Sequence, residues 1–165
     1  MVPPTLLVFV SLLVAAALVS LAVGGYVYRE YRRFPGGLAL VVLLGFLSLW
    51  SLSYALQVVA GTVATKMVWA RFVATGSIGS ATAWGCFVLA YTGRRNWLDG
   101  RRLGVLLAIP VVTTVAAWTN HVHELVWQSP TAEPFGDLSL LSTTKGPLFL
   151  LSLGYGYLVV VGSLG

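Results

Sequence analysis

The sequence of 165 residues is 58% hydrophobic and only 9% charged. A soluble globular domain carries about 25% charged residues, so this chain cannot cover a water-facing surface, and a soluble enzyme is excluded. Ten Lys and Arg against five Asp and Glu give a net charge of +5, which in a membrane protein indicates basic cytoplasmic loops facing anionic lipid rather than binding of nucleic acid.

Five long apolar segments follow one another along the chain and predict five membrane-spanning helices, since about 20 apolar residues cross a bilayer. The predicted spans cover residues 5–28, 38–59, 67–91, 103–119 and 147–165. The predicted fold class is therefore all-α, a polytopic transmembrane helix bundle that forms one domain over residues 1–165 without a soluble domain. The first segment lacks a basic leader and is too long for a secretory signal peptide, which predicts an uncleaved helix.

The second span carries polar and aromatic residues at helical spacing, namely Trp50, Tyr54, Gln57 and Gly61. Lipid cannot satisfy amide and hydroxyl groups, so this stripe is expected to face the interior of the bundle. Two interpretations stay open at this point: the stripe either makes hydrogen bonds between helices or lines a ligand site.

The third span contains one basic residue, Arg71, about four residues inside its predicted start and thus roughly 6 Å deep. At that depth the guanidinium can reach the lipid headgroups, and the alternative is a pair with Gln57. Further along, Gly76 and Ser80 form a small-xxx-small pair that permits close helix packing. This span is therefore expected to lie in the centre of the bundle.

The fourth span contains Pro110, which removes the hydrogen bond to the carbonyl of Leu106 and predicts a kink. The segment that follows, Asn120–Gly146, is the longest loop, and loops of this length are often functional. It begins with His121 and His123, which would lie on opposite sides of a helix and so do not converge on a metal ion. The two histidines are instead expected to lie at the membrane interface.

Basic residues are distributed unevenly between the loops. Loops one and three, residues 29–37 and 93–102, hold seven Lys and Arg, whereas loops two and four hold only Lys66 and Lys145. Cytoplasmic loops carry the excess of basic residues, so loops one and three are predicted to be cytoplasmic. The chain is therefore expected in the cell membrane as a multi-pass protein with its N-terminus outside.

Catalytic motifs do not occur in the sequence. There is no glycine-rich phosphate loop, no G-x-S-x-G and no H-E-x-x-H, and the single cysteine, Cys86, excludes an internal disulfide and a multi-cysteine metal site. No catalytic residue, metal or cofactor is predicted, and the chain itself is not expected to be an enzyme. Candidate ligand or signalling residues are those whose polar groups are expected to converge at the outer mouth of the bundle: Tyr54, Gln57, Arg71, Asn120 and His123.

Six stretches in order carry a resemblance to a known family. They are Trp-Ser-Leu-Ser-Tyr-Ala-Leu-Gln at 50–57, Lys-Met-Val-Trp-Ala-Arg-Phe at 66–72, Phe-Val-Leu-Ala-Tyr-Thr-Gly-Arg at 87–94, Asn-Trp-Leu at 96–98, Ile-Pro at 109–110 and Thr-Asn-x-x-His-x-Leu-x-Trp at 119–127. Over about residues 38–160 the chain resembles the N-terminal seven-transmembrane region of prokaryotic, especially haloarchaeal, sensor histidine kinases. The resemblance implies seven helices with an outside N-terminus, followed by cytoplasmic sensory and kinase domains. The family pattern often has an acidic residue at Gln57, so only a neutral partner for Arg71 is left here.

The resemblance predicts a membrane-embedded sensory input module of a two-component signalling histidine kinase. The chain stays apolar up to Gly165, which predicts a product truncated before the kinase core, the front part of a seven-helix bundle. The alternatives are a small polytopic transporter or channel-like protein and a membrane fragment without activity of its own. The expected partners are the lipid bilayer, an unidentified small ligand or membrane stimulus, a cytoplasmic kinase or other output domain, and a second copy of the chain.

Overall fold

The computed structural model describes residues 4–135 and 138–163. The helices are α1 (Pro4–Glu30), α2 (Gly37–Val59), α3 (Val63–Tyr91), α4 (Gly100–Trp118), the single turn α5 (Asn120–His123) and α6 (Pro147–Gly162). Helices α1 to α4 are long and apolar enough to cross a membrane, and the predicted helical membrane bundle is confirmed. Helix α6 is apolar but has only 16 residues. The predicted end of this span at 165 lies outside the described residues, so a fifth crossing stays a prediction.

Helix α3 begins four residues earlier than predicted, because Thr62 caps it. The side-chain oxygen of Thr62 accepts a hydrogen bond from the Thr65 N–H at 3.2 Å, and the Thr65 hydroxyl oxygen accepts one from the Thr62 N–H at 3.3 Å. This reciprocal cap satisfies N–H groups that the first helical turn would otherwise leave unpaired. As a result Lys66, which the sequence places in a loop, lies in the first turn of α3.

Helix α3 is the centre of the bundle. Helix α2 packs along one side of it, α4 and α6 pack against other parts of its surface, and α1 packs on the far side of α2. The backbones of α2 and α3 approach closely at Gly76, where an added Cβ would lie only 2.7 Å from the backbone nitrogen of Trp50. The close packing expected from the small residues of this span is thus confirmed at Gly76.

The segment predicted as the longest loop forms an antiparallel β-hairpin after the short helix α5. Its strands are β1 (Trp127–Phe135) and β2 (Leu138–Lys145), paired from Trp127 opposite Lys145 to Phe135 opposite Leu138. The register shifts between Gln128 and Thr131, which places one extra residue in β1 and makes a β-bulge. The bulge includes Ser129, whose φ of 47° is unusual for a residue other than glycine.

The hairpin packs onto one end of the bundle. At its base the Gly146 N–H donates to the Val126 carbonyl at 2.9 Å. A buried apolar cluster lies beneath it and joins α3, α4 and the start of β1: Ala70, Ala116, Ala117, Val126 and Trp127. Loop one lies at the other end against the last turns of α3, where a Cβ added at Gly36 would lie 3.1 Å from the ring of Phe87, and loop three follows directly after α3. The two basic loops and the hairpin are therefore at opposite ends of the molecule.

Candidate functional site

Lys66 connects the hairpin to the helices through a buried ammonium group. Its side chain is 1% exposed, and Nζ donates hydrogen bonds to the carbonyls of Gln57 at 3.0 Å, Val58 at 3.1 Å and Ser139 at 2.6 Å. Three acceptors match the three donors of an ammonium group, which makes burial of the charge tolerable. Gln57 and Val58 lie in the last turn of α2, where a positive charge also complements the helix dipole. Ser139 lies in β2, so one side chain joins three elements, and we call this arrangement the Lys66 clamp.

Gln57 is part of the Lys66 clamp rather than a partner of Arg71. Its side chain is buried, and Nε2 donates to the carbonyl of Lys66 at 3.4 Å. Arg71 is half-buried, and its Nε is enclosed without a hydrogen-bond partner among the described residues. The alternative that pairs Gln57 with Arg71 is therefore not found, because Lys66 occupies the polar end of α2 instead.

Asn120 holds the chain where it enters the hairpin. Its side chain is 5% exposed; Nδ2 donates to the Trp127 carbonyl at 2.8 Å, and Oδ1 accepts from the N–H groups of Val126 at 2.9 Å and Trp127 at 3.1 Å. These bonds fully occupy the acceptor and use one of the two amide hydrogens. Asn120 thus stabilises the turn between α5 and β1.

His123 stabilises the same turn with both ring nitrogens. Its Nδ1 accepts a hydrogen bond from the Leu125 N–H at 3.0 Å, which assigns the proton of the neutral ring to Nε2. Nε2 lies 3.1 Å from Oγ1 of Thr119, whose own hydrogen is donated to the Val115 carbonyl at 2.9 Å. The neutral tautomer therefore matches every partner of the ring. Among the described residues no group of three His, Cys, Asp or Glu side chains is placed to hold a metal ion.

A large cavity lies between α2, α3, α4 and α6, beneath the hairpin. Its volume is about 840 Å³, within the range of about 300–1,000 Å³ that is typical of small-molecule sites. Of the residues predicted from sequence, Tyr54 and Gln57 line it, and the ring of Tyr54 also packs edge-on against Phe9 at 6.0 Å. The other three predicted residues, Arg71, Asn120 and His123, do not line it.

Lys145 also lines the cavity, although the sequence did not indicate it as a site residue. It ends β2, and its Nζ donates to Oγ1 of Thr143 at 2.8 Å and lies 5.0 Å from the centre of the Phe149 ring. Partial desolvation lowers the pKa of Lys145 from its usual 10.5. The sequence does contain a sign of the hairpin that positions Lys145. The Gly136-Asp137 dipeptide lies between two runs that contain Ser and Thr, which is a pattern typical of a hairpin.

A family model described as the N-terminal 7TM region of histidine kinase matches residues 12–165 of the chain. The chain belongs to this family. No curated protein and no solved structure matches it. The resemblance drawn from the six sequence stretches is thus confirmed, although a haloarchaeal type stays a prediction. The chain is therefore a multi-pass membrane protein of this input-region family. Such a region lies in the bilayer, would connect to a cytoplasmic kinase domain and is not itself catalytic.

Proposed function

We propose that this 7TM input region senses a stimulus at its hairpin-covered end and passes it to the kinase through a coupled displacement of α2 and α3. In this proposal the N-terminus and the hairpin face outward, and residues 29–37 and 93–102 lie in the cytoplasm. The sensing residues are those of the outer mouth: Tyr54, Gln57, Arg71, Asn120 and His123.

The orientation is supported by the positions of the basic loops. The two loops rich in arginine both lie at the end away from the hairpin, and the excess of Lys and Arg favours the cytoplasmic side. Of the two remaining loop lysines, Lys66 is buried in the clamp and Lys145 lies at the cavity. Neither lysine is therefore expected to favour a cytoplasmic location for the hairpin end.

The observation that carries the proposal is the Lys66 clamp. A displacement of β2 that moves the Ser139 carbonyl away from Nζ would leave a buried ammonium group with an unused donor, which costs about 1–3 kcal/mol. The ammonium can regain its full set of partners only if α2, α3 and β2 move together. Movement of the hairpin is thereby coupled to the ends of both helices.

Close packing of α2 against α3 would carry that displacement to the cytoplasmic end. The backbones meet at Gly76 and Trp50, and Gly79 packs against the ring of Phe46, with which an added Cβ would clash. Packing this tight resists independent sliding of the two helices, because close-packed interiors have no space to deform continuously. The pair therefore moves as one unit toward loops one and three.

The proposal is tested with the region fused to a histidine kinase core and autophosphorylation measured in membranes. We expect Lys66→Met to change the basal rate several-fold at equal membrane insertion, because the clamp is lost. The matched control is Val68→Met, on the same helix but 43% exposed, which should leave the rate unchanged. Normal insertion and a wild-type rate for Lys66→Met would contradict the proposed coupling.

The residues predicted from sequence form a second set of variants in the same fusion. Gln57→Leu, Arg71→Ala and His123→Ala are each expected to change the kinase rate more than they change insertion. The alternative of a transporter or channel draws no support from the family match. Pairing of two copies and truncation before the kinase core stay predictions.

A further inference from the structure

The cavity beneath the hairpin has mainly aromatic and aliphatic walls. Seven aromatic side chains contribute to its lining: Trp50, Tyr54, Trp84, Trp127, Phe149, Tyr155 and Tyr157. Aromatic walls of this kind, with few polar groups, are typical of sites that bury most of a small ligand. The ligand that fits has a large apolar body.

Three of the hydroxyl groups in the wall donate their hydrogens within their own helices. Ser80 donates to the Ser77 carbonyl, Ser152 donates to the Phe149 carbonyl, both at 2.8 Å, and Thr113 donates to the Ile109 carbonyl at 2.8 Å. Each hydroxyl hydrogen is thus used within its own helix, as is common for Ser and Thr in helices. The mainly aromatic and aliphatic wall therefore suits a hydrocarbon chain over most of its length.

Lys145 supplies the only charge among the described lining residues. No carboxylate lies within 4.0 Å of its ammonium group in the described part of the chain, where the ion pair found is Arg102 with Asp99. Its position against the ring of Phe149, itself a lining residue, places the charge at the edge of the cavity. The complement of this charge is an anionic head group at one end of the apolar body.

We propose that the cavity binds a single-chain amphiphilic anion, of which a free long-chain carboxylate is the simplest case. The carboxylate pairs with Lys145, and the hydrocarbon chain lies among the aromatic side chains. The inference rests on the proposed function, because a ligand bound between α3 and the hairpin would act on the elements that the Lys66 clamp joins. It goes beyond that function by naming the class of ligand.

The head group determines selectivity at such a site. Lipid tails are as apolar as the side chains of the cavity, so moving a chain from the bilayer into the protein gains little by itself. A charge-assisted hydrogen bond to an ammonium group is about twice as strong as a neutral one. The carboxylate should therefore bind better than its methyl ester of equal chain length.

The test uses the chain in nanodiscs of phosphatidylcholine and a C16 carboxylate that carries a photoreactive diazirine in its chain. We expect labelling of α3 and α6 that excess hexadecanoate prevents and methyl hexadecanoate does not. Lys145→Gln should reduce labelling about tenfold, the loss of one charge-assisted hydrogen bond. The matched control is Arg102→Gln, a basic residue at the opposite end of the bundle, which should label as the wild type does.

Substitutions that fill the cavity provide a second, independent test of ligand binding. Ser77→Phe and Gly156→Leu both place new side chains on lining residues, and an added Cβ at Gly156 meets nothing nearer than the Cβ of Ala81 at 3.8 Å. Both variants should block labelling while thermal unfolding stays close to that of the wild type. Val105→Phe, on a side chain that is 72% exposed, is the control that should not block it.

Three results would overturn the proposal. They are equal competition by the methyl ester, unchanged labelling of Lys145→Gln, and stronger labelling by a phosphatidylcholine that carries the same diazirine chain, which would make the occupant a membrane phospholipid. Failure here is distinguishable from failure of the proposed function, because labelling needs no kinase. Loss of the ligand site would leave the effect of Lys66→Met on autophosphorylation intact, and the reverse holds as well.

Discussion

The hydroxyl of Tyr155 in α6 donates a hydrogen bond of 2.8 Å to the carbonyl of Leu106 in α4. This carbonyl lacks its usual helical donor, because the residue four positions later is Pro110, which has no N–H. A proline inside a membrane helix is tolerated when a neighbouring helix satisfies the carbonyl that it leaves unpaired. Tyr155 does so here, and it thereby couples α6 to the middle of α4.

Tyr155→Phe is expected to lower the free energy of unfolding by about 1–3 kcal/mol, because the Leu106 carbonyl is left buried and unpaired. In a Pro110→Ala background the new N–H can reach the Leu106 carbonyl. Tyr155→Phe should then lower the free energy of unfolding by clearly less. Unfolding in bicelles of the two single variants and the double variant measures this coupling. Tyr157→Phe is the control, since Tyr157 is 67% exposed on the same helix. If Tyr155→Phe lowers the free energy of unfolding equally with proline and with alanine at position 110, the hydroxyl does not stabilise the protein through the Leu106 carbonyl.

Lys66→Met is expected to loosen the hairpin, because Nζ is the donor to the Ser139 carbonyl. We expect faster amide hydrogen exchange throughout β2 and a loss of about 1.5–3 kcal/mol, the value for hydrogen bonds to charged groups. The control is Lys145→Met, the same substitution at the exposed end of the same strand, which should change exchange little. Protection of β2 equal to that of the wild type would refute the anchoring role of Lys66.

Gly76→Ala is expected to destabilise the contact of α2 with α3 by about 1–3 kcal/mol, the usual cost of overpacking. The new Cβ would lie 2.7 Å from the nitrogen and 2.8 Å from the Cα of Trp50, and backbone atoms cannot move aside cheaply. Gly45→Ala is a matched control, because nothing lies within 4 Å of a Cβ at that helical glycine. It should be neutral or slightly stabilising, since alanine favours the helix. Thermal unfolding of the two variants in detergent compares them directly.

The proposed orientation predicts which positions an impermeant thiol reagent reaches in intact cells. Cysteine at Pro134 in β1 should be labelled, and cysteine at Arg32 in loop one should be protected, each in a background where Cys86 is replaced by alanine. Both positions are exposed on the protein surface, so a difference in labelling reports the side of the membrane and not burial within the protein. Labelling at Arg32 with protection at Pro134 would reverse the topology.

Hydropathy and loop charge were sufficient to predict the helices, because the bilayer requires long apolar runs and the pattern is read directly from the chain. The start of α3 was less predictable, since Thr62 and Thr65 form a cap whose second member is not the usual Glu or Gln. That difference moved Lys66 from an assumed exposed loop into the most enclosed position of the site. The hairpin was also missed, because its alternating pattern is interrupted by Pro130, Pro134 and the bulge at Ser129.

The candidate site was only partly predictable for a different reason. Tyr54 and Gln57 belong to one helical face, so their spacing was enough to place both at the cavity. Asn120 and His123 lie near the same end, but their hydrogen bonds to Val126, Trp127 and Leu125 hold the hairpin turn. These hydrogen bonds depend on how the chain folds back after α5. The residue types alone do not determine that path, so the structural role of Asn120 and His123 could not be predicted.

The Lys66 clamp has a consequence for how this part of the protein tolerates sequence change. All three acceptors are main-chain oxygens, which every amino acid carries. Replacing the side chain of Val58 or Ser139 removes none of these acceptors, whereas replacing Lys66 removes every bond at once. These bonds therefore depend on where the neighbouring backbone lies and not on which side chains it carries, so residues on the surface of the hairpin can be exchanged without loss of the Lys66 clamp.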